Sequence, residues 1–158
     1  FTIYTASVLG RACLPASAIY TASKWAIEGC AEALSYELAP LGIDSAIVEP
    51  GAMGTEILGK MMQPAEPDRL SDYGHLQEMG EGMQEALSKL MQGDEANNPL
   101  DVAQVYVDLI NMPRRKRPLR TPVGKESVLV QELNANSASA QQATIETYGL
   151  RAVRTQAK

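Results

Sequence analysis

Histidine occurs once in the 158 residues, as His75, and cysteine twice, as Cys13 and Cys30. The two thiols form no Cys-x-x-Cys pattern and have no clustered histidine, so metal chemistry and a disulfide framework lack the residues they need. Cationic excess is missing too. The formal net charge of -5 argues against a chain that holds nucleic acid or anionic lipid by a summed positive field. No apolar run is long enough to suggest a membrane span, and no charged-then-apolar signal segment or N-x-S/T sequon appears. These absences suit a reducing, cytoplasmic setting. Disorder is excluded by a hydrophobic content of 45% against 21% charged residues. What remains is a globular chain of one-domain length.

An initiator methionine is also missing. The chain opens at Phe1 in FTIYTAS, a short β-branched and aromatic run that reads as a buried strand over 1–7, so the expectation is that the natural start lies upstream. The loop VLGRACLP follows. An Ala-rich segment over 17–39 then places Ile19, Ala22, Ala26, Ile27, Ala33, Leu34 and Leu38 at helical intervals and stops at Pro40-Leu41-Gly42. Residues 43–49 read as a buried strand ended by Pro50-Gly51. Strand, helix, strand is a βαβ unit, which implies parallel pairing.

Between Gly51 and Pro99 strand patterning disappears, and six of the seven methionines are Met53, Met61, Met62, Met79, Met83 and Met91. This reads as a lid of short helices, the clearest over 76–91, with His75 as a polar loop residue. The methionines read as irregular core filler; if some line a pocket instead, the substrate is apolar and bulky. A helix is expected over 100–112, followed by Arg114, Arg115, Lys116, Arg117 and then Arg120 as a solvated basic turn suited to a helix C-terminus. Residues 119–123 form a third strand candidate, with Pro122 marking an edge or an end. Helical stretches over 128–133 and 140–150 are expected, joined by the small polar NANSASA.

Chemistry concentrates at Tyr20 and Lys24, one helical turn apart on one face. An ammonium beside a phenol favours the phenolate, which suits a general acid/base. Alone, Tyr-x-x-x-Lys is a weak signal. Ser7 at a strand's carboxyl end followed by Gly10, YTASKWAIEG, and strand-Pro50-Gly51 leading to Thr55 together form a specific pattern, because open α/β sheets place reactive groups at the carboxyl ends of strands. In these motifs the chain resembles the short-chain dehydrogenase/reductase family, and RPLRTPVG at 117–124 is similar to that family's last strand.

The resemblance implies an α/β fold, a Rossmann-like doubly wound parallel sheet of which this chain is the C-terminal part: about three strands, helices and a substrate lid. Residues 1–55 would be a catalytic βαβ unit, 56–99 the lid, and 100–158 the last helix, last strand and C-terminal segment. It further implies NAD or NADP as cofactor and a small-molecule carbonyl or alcohol as substrate, possibly apolar. Tyr20 would exchange a proton with the substrate oxygen. Lys24 would ease ionisation of Tyr20 and hold the nicotinamide ribose, and Ser7 would orient the substrate oxygen. Pro50, Gly51, the main chain of Met53 and Thr55 would hold the nicotinamide. The family's glycine-rich dinucleotide turn has no counterpart here, so a second reading is kept: a catalytically incomplete fragment or non-catalytic interaction module.

A decoy is set aside. Gly54, Gly59 and Lys60 match a phosphate-binding loop up to Met61, where Ser or Thr would be needed for magnesium, and Glu56 would face phosphates. The small residues Ala22, Ala26, Gly29 and Ala33 read first as a stripe packed on the chain's own sheet, with self-association through the 17–39 helix implied by the resemblance. Trp25 reads as core or interface packing.

Overall fold

Strand β2 (Ser45–Pro50) is buried on both faces along nearly its whole length, as expected of a central parallel strand. In the computed structural model, which describes residues 1–62, 65–93 and 96–150, β2 lies between β1 (Thr2–Thr5) and β3 (Arg120–Val123) in a parallel sheet of order β1-β2-β3. Register pairs Thr5 with Val48 and Pro50 with Val123. Pro50 has no N–H to donate, and its place at the strand's last position makes that harmless. Pro122 stands in the outer strand β3, as its sequence position suggests.

Side chains alternate across β2. Ala46 and Val48 face a cluster with Leu109, Val123 and Met53, joined by Val102, Val105 and Tyr106 of helix α3 (Pro99–Asn111). Ile47 faces the other way, onto Ala31 and Ile27 of helix α1 (Ala18–Leu38). One helix on each face makes a three-layer, doubly wound arrangement. Helix α1 ends in a 3-10 turn, Ala39–Leu41, with Gly42 at φ 72°, a left-handed position that favours glycine.

The buried face of α1 is not the one that apolar spacing picks out. Thr21, Glu28, Ala31 and Ser35 are buried, whereas Ile19, Ala22, Ala26, Gly29 and Ala33 are exposed. Only Ile27, Leu34 and Leu38 of the expected apolar set are half-buried. The small-residue stripe therefore does not pack on the chain's own sheet. Trp25 is 45% exposed, with the Arg11 guanidinium 5.9 Å from its ring centroid. Glu28 turns inward onto Arg120 of the sheet, whereas Thr21 and Ser35 bond locally, to the hydroxyl of the capping Ser17 and the Glu32 carbonyl.

The lid contains 3-10 turns at Leu58–Lys60 and Pro67–Tyr73 and helix α2 (His75–Leu90). His75 is the first residue of that helix rather than a loop residue. Met53 and Met91 are buried as filler, but Met61, Met62 and Met79 are exposed. Pro64 and residues 151–158 of the expected C-terminal segment lie outside the described residues. Helix α3 starts on Asn98, whose Oδ1 accepts from Leu100 N at 3.0 Å, with Pro99 in the first turn.

Two expectations are corrected near the C-terminus. The segment NANSASA does not separate two helices: helix α4 runs unbroken over Val128–Thr147. Asn134 in its middle is pinned by Arg11 Nε, which donates to Asn134 Oδ1 at 2.8 Å, and itself donates to Glu49 Oε2 at 2.7 Å. The basic run is not wholly solvated. Arg117 is buried, ion-paired with Asp44 at 2.7 Å, and donates to the Leu109 and Ile110 carbonyls at the end of α3. Burial alone would raise the Asp44 carboxyl, but the Arg115 N–H and the Arg117 guanidinium hold it below the usual range. The Arg120 side chain is buried on the α1 side of the sheet, against Glu28. Among the described residues no helix is long and apolar enough to cross a membrane.

Candidate active site

Past Thr5 the chain leaves the sheet through Ala6-Ser7 into a 3-10 turn, Val8–Gly10, that packs against α1. Gly10 permits the close approach: a Cβ there would lie 2.9 Å from Glu28 Cγ and 3.2 Å from the Lys24 carbonyl oxygen. Ser7, 6% exposed, caps this turn by accepting from Leu9 N at 3.2 Å. Its hydroxyl donates to the Pro50 carbonyl at 3.2 Å, which ties the carboxyl ends of β1 and β2 together.

Lys24 reaches the same edge from α1. Its Nζ donates to the Thr5 carbonyl at 3.2 Å and stands 5.5 Å from the centroid of the Tyr20 ring. Burial pushes the Lys24 ammonium below the ordinary lysine range. Tyr20 is 44% exposed, so its ring is open to an incoming molecule while its neighbour is sheltered.

Residues 50–55 form the opposing wall. Gly51 N donates to the Val123 carbonyl at 2.9 Å, and a Cβ on Gly51 would fall 2.1 Å from Glu126 Oε2. The Met53 side chain is buried in the core between β2 and α3, so it belongs to neither lid nor pocket. Thr55 is exposed at the outer end of this loop. Ser7, Tyr20, Lys24 and Pro50 thus gather at the carboxyl edge of the sheet, with Gly51 adjoining.

Two groups of residues at this edge escape the motif reading. Asn97 is one: buried, it contacts the 50–55 loop through its main chain and its side chain. Its signal in the sequence is slight, an Asn-Asn before the proline of a helix start. The second is a buried charge cluster one turn beyond Lys24. Arg120 Nε meets Glu28 Oε2 at 2.9 Å, its Nη2 meets Glu32 Oε2 at 2.7 Å, and Glu49 Oε1 lies 3.7 Å from Nε. Oε1 of Glu28 and Oε1 of Glu49 are buried without a hydrogen-bond partner. Burial first, then the neighbouring Glu28 charge, pushes the Glu49 carboxyl up to about 7 against the opposing pull of Asn134 and Arg120. Burial also raises Glu28, with Arg120 opposing. Only strand alternation signals this cluster, by setting Glu49 on the same face as Ile47.

The lid carries a shallow depression of about 390 Å³ lined by Leu58, Gly59, Glu81, Gln84, Glu85 and Ser88. None of these residues belongs to the Ser7, Tyr20, Lys24 edge, and two of them are carboxylates.

Comparison with known proteins adds independent findings. The short chain dehydrogenase family profile matches residues 2–66. The chain is 33% identical over 129 residues to YusZ, an oxidoreductase of Bacillus subtilis, spanning 78% of this chain and 42% of that one. It is 31% identical over 113 residues to human 17-beta-hydroxysteroid dehydrogenase type 1, spanning 71% of this chain and 34% of that one. A crystal structure of a short-chain dehydrogenase from Streptomyces avermitilis superposes with a TM-score of 0.55 at 24% identity, covering 94% of this chain and 51% of that chain, a likeness of fold. The chain spans about half the length of that structure and less than half of the two curated relatives.

Proposed function

Because the chain belongs to the short-chain dehydrogenase family, we propose that it carries the catalytic edge and substrate lid of an NAD- or NADP-dependent oxidoreductase acting on a small-molecule carbonyl or alcohol. The observation that carries this reading is the placement of Lys24 Nζ, 3.2 Å from the Thr5 carbonyl and 5.5 Å from the Tyr20 ring, at the edge where Ser7 bonds Pro50. The donor set suits the cofactor: the Lys24 ammonium has three N–H donors and spends one on Thr5, leaving others for ribose hydroxyls. When bound, the nicotinamide supplies or accepts the hydride.

The chain's own residues orient groups and move a proton. Tyr20 exchanges a proton with the substrate oxygen, with the Lys24 ammonium beside its ring. The Ser7 hydrogen is committed to Pro50, so Ser7 serves the substrate oxygen by exchanging one acceptor for another. Pro50, Gly51, the Met53 main chain and Thr55 hold the nicotinamide side. Residues 1–55 are the catalytic unit, 56–99 the lid and 100–158 the closing segment. The exposed lid methionines Met61, Met62 and Met79, with the likeness to a hydroxysteroid dehydrogenase, favour an apolar substrate. The outward stripe of Ile19, Ala22, Ala26, Gly29 and Ala33 on α1 is offered to a second copy of the chain.

Replacement of Tyr20 by phenylalanine in the full-length protein tests the reading. Turnover should fall by at least about 10²-fold while cofactor binding stays largely in place; undiminished turnover would overturn it.

A further inference from the structure

Beyond Gly51, whose N–H donates to the Val123 carbonyl of β3, the chain has left the sheet, and residues 52–55 have no neighbour in β1, β2 or β3 to fix their main chain. Asn97 supplies one. Met53 and Asn97 form an isolated parallel bridge, and Gly54 N donates to the Asn97 carbonyl at 2.9 Å. The side chain adds a second attachment on the other side of Met53, Nδ2 donating to the Ala52 carbonyl at 2.9 Å. Nδ2 also donates to Glu126 Oε2 at 2.7 Å, and Oδ1 accepts from Lys125 N at 2.9 Å. Both ends of the amide are therefore used, which fixes its orientation.

The packing around the amide allows little slack. A Cβ on Gly54 would lie 3.3 Å from the Asn97 carbonyl oxygen and 3.2 Å from that of Met91. A Cβ on Gly124, at φ 102°, would lie 3.1 Å from Asn97 Cγ and 2.9 Å from Met53 Cε. Asn97 is 8% exposed. It is also distinct from its neighbour: Asn98 caps α3 and makes none of these contacts with the loop.

We propose that Asn97 is the positioning residue for the 50–55 loop, holding Ala52, Met53 and Gly54 in the shape that receives the nicotinamide end of the cofactor. The inference rests on the function proposed above. It extends that reading to a residue from the far end of the lid, which locks the loop to the segment after β3 without touching the cofactor itself. The consequence is selective: loosening Asn97 harms recognition of the nicotinamide, not of the rest of the dinucleotide.

The test is a pair of titrations on the full-length protein, with NADH or NADPH, whichever the wild type binds, and with ADP-ribose or its 2′-phosphate, which lack only the nicotinamide ring. Asn97→Ala should raise the Kd for the reduced cofactor by about tenfold and leave that for the ADP-ribose compound unchanged. Asn97→Gln keeps the amide but displaces it by one methylene from Ala52 and Lys125, so it provides the same test if the alanine variant fails to fold. Asn98→Ala, which removes only the helix cap, should shift neither ligand relative to the other. Equal weakening of both ligands in the Asn97 variants would reduce Asn97 to a structural residue and overturn the proposal, as would no weakening at all. A wild-type protein that binds neither NADH nor NADPH would instead overturn the functional reading, and this inference with it.

Discussion

Arg120 and Glu28 meet at 2.9 Å in the layer between β3 and α1, with both side chains almost completely buried. Glu28 stands one helical turn from Lys24, so this ion pair ties to the sheet the same helix that carries Lys24 and Tyr20. A buried pair gives little net stability compared with apolar packing, but removing one member strands the other.

Arg120→Met should therefore destabilise the protein by about 3–5 kcal/mol, because it leaves Glu28, Glu32 and Glu49 facing one another. Urea denaturation measures this. Adding Glu28→Gln to Arg120→Met should recover part of the loss, and strict additivity of the two changes would show that they are not coupled.

The raised Glu49 carboxyl makes stability depend on pH. Its folded value of about 7 lies above the ordinary 4.5, so its contribution is fully present below about 4.5 and is lost as pH rises through about 7. Glu49→Gln, which can still accept from Asn134, should flatten the fall in urea midpoint between those values, an effect on the order of 3 kcal/mol. Asp44 works in the opposite sense. Its carboxyl is held below 3.8, so its contribution is present above that value and is lost as pH falls through the lowered folded value.

Gly124→Ala should destabilise by about 2 kcal/mol. The position has φ 102°, and a Cβ would press on Met53 Cε and the Asn97 amide. Differential scanning calorimetry should show a lower Tm, and an unchanged Tm would mean that the 124 backbone relaxes freely.

Lys24→Met should weaken cofactor binding by about tenfold or more, through loss of the ammonium that bonds the Thr5 carbonyl and that we propose holds the ribose. Ala26→Glu places a charge in the middle of the exposed α1 stripe and should convert an associating protein to monomers by light scattering. An unchanged mass in a protein that self-associates would place the interface elsewhere.

The βαβ order and the gathering of Ser7, Tyr20 and Lys24 are legible in the sequence because their signals are local: short apolar runs, Pro-Gly stops, a four-residue spacing. What is not legible depends on distant partners. Glu28 belongs to the buried face of α1 only because Arg120 and Glu49 wait there, so apolar counting selects the opposite face. The Asn134 segment reads as a linker by composition, yet Arg11 and Glu49 hold it inside a helix, where tertiary contacts override weak propensity. Arg117 looks like one more solvated cation until Asp44, seventy-three positions away, pairs with it. Asn97 has no motif at all, since what defines it is a loop forty-five positions earlier.

Within the described sheet β2 alone is hydrogen-bonded on both sides. Among the described residues, amide hydrogens of 46–49 should therefore exchange with deuterium more slowly than those of the lid, surviving local openings that expose α2. Pro50 and Gly51 extend directly from that protected unit, while the lid, largely exposed along α2, belongs to the fast-exchanging part. The candidate site thus lies between a slowly and a rapidly exchanging segment among the described residues, where one wall can hold its shape while the other opens.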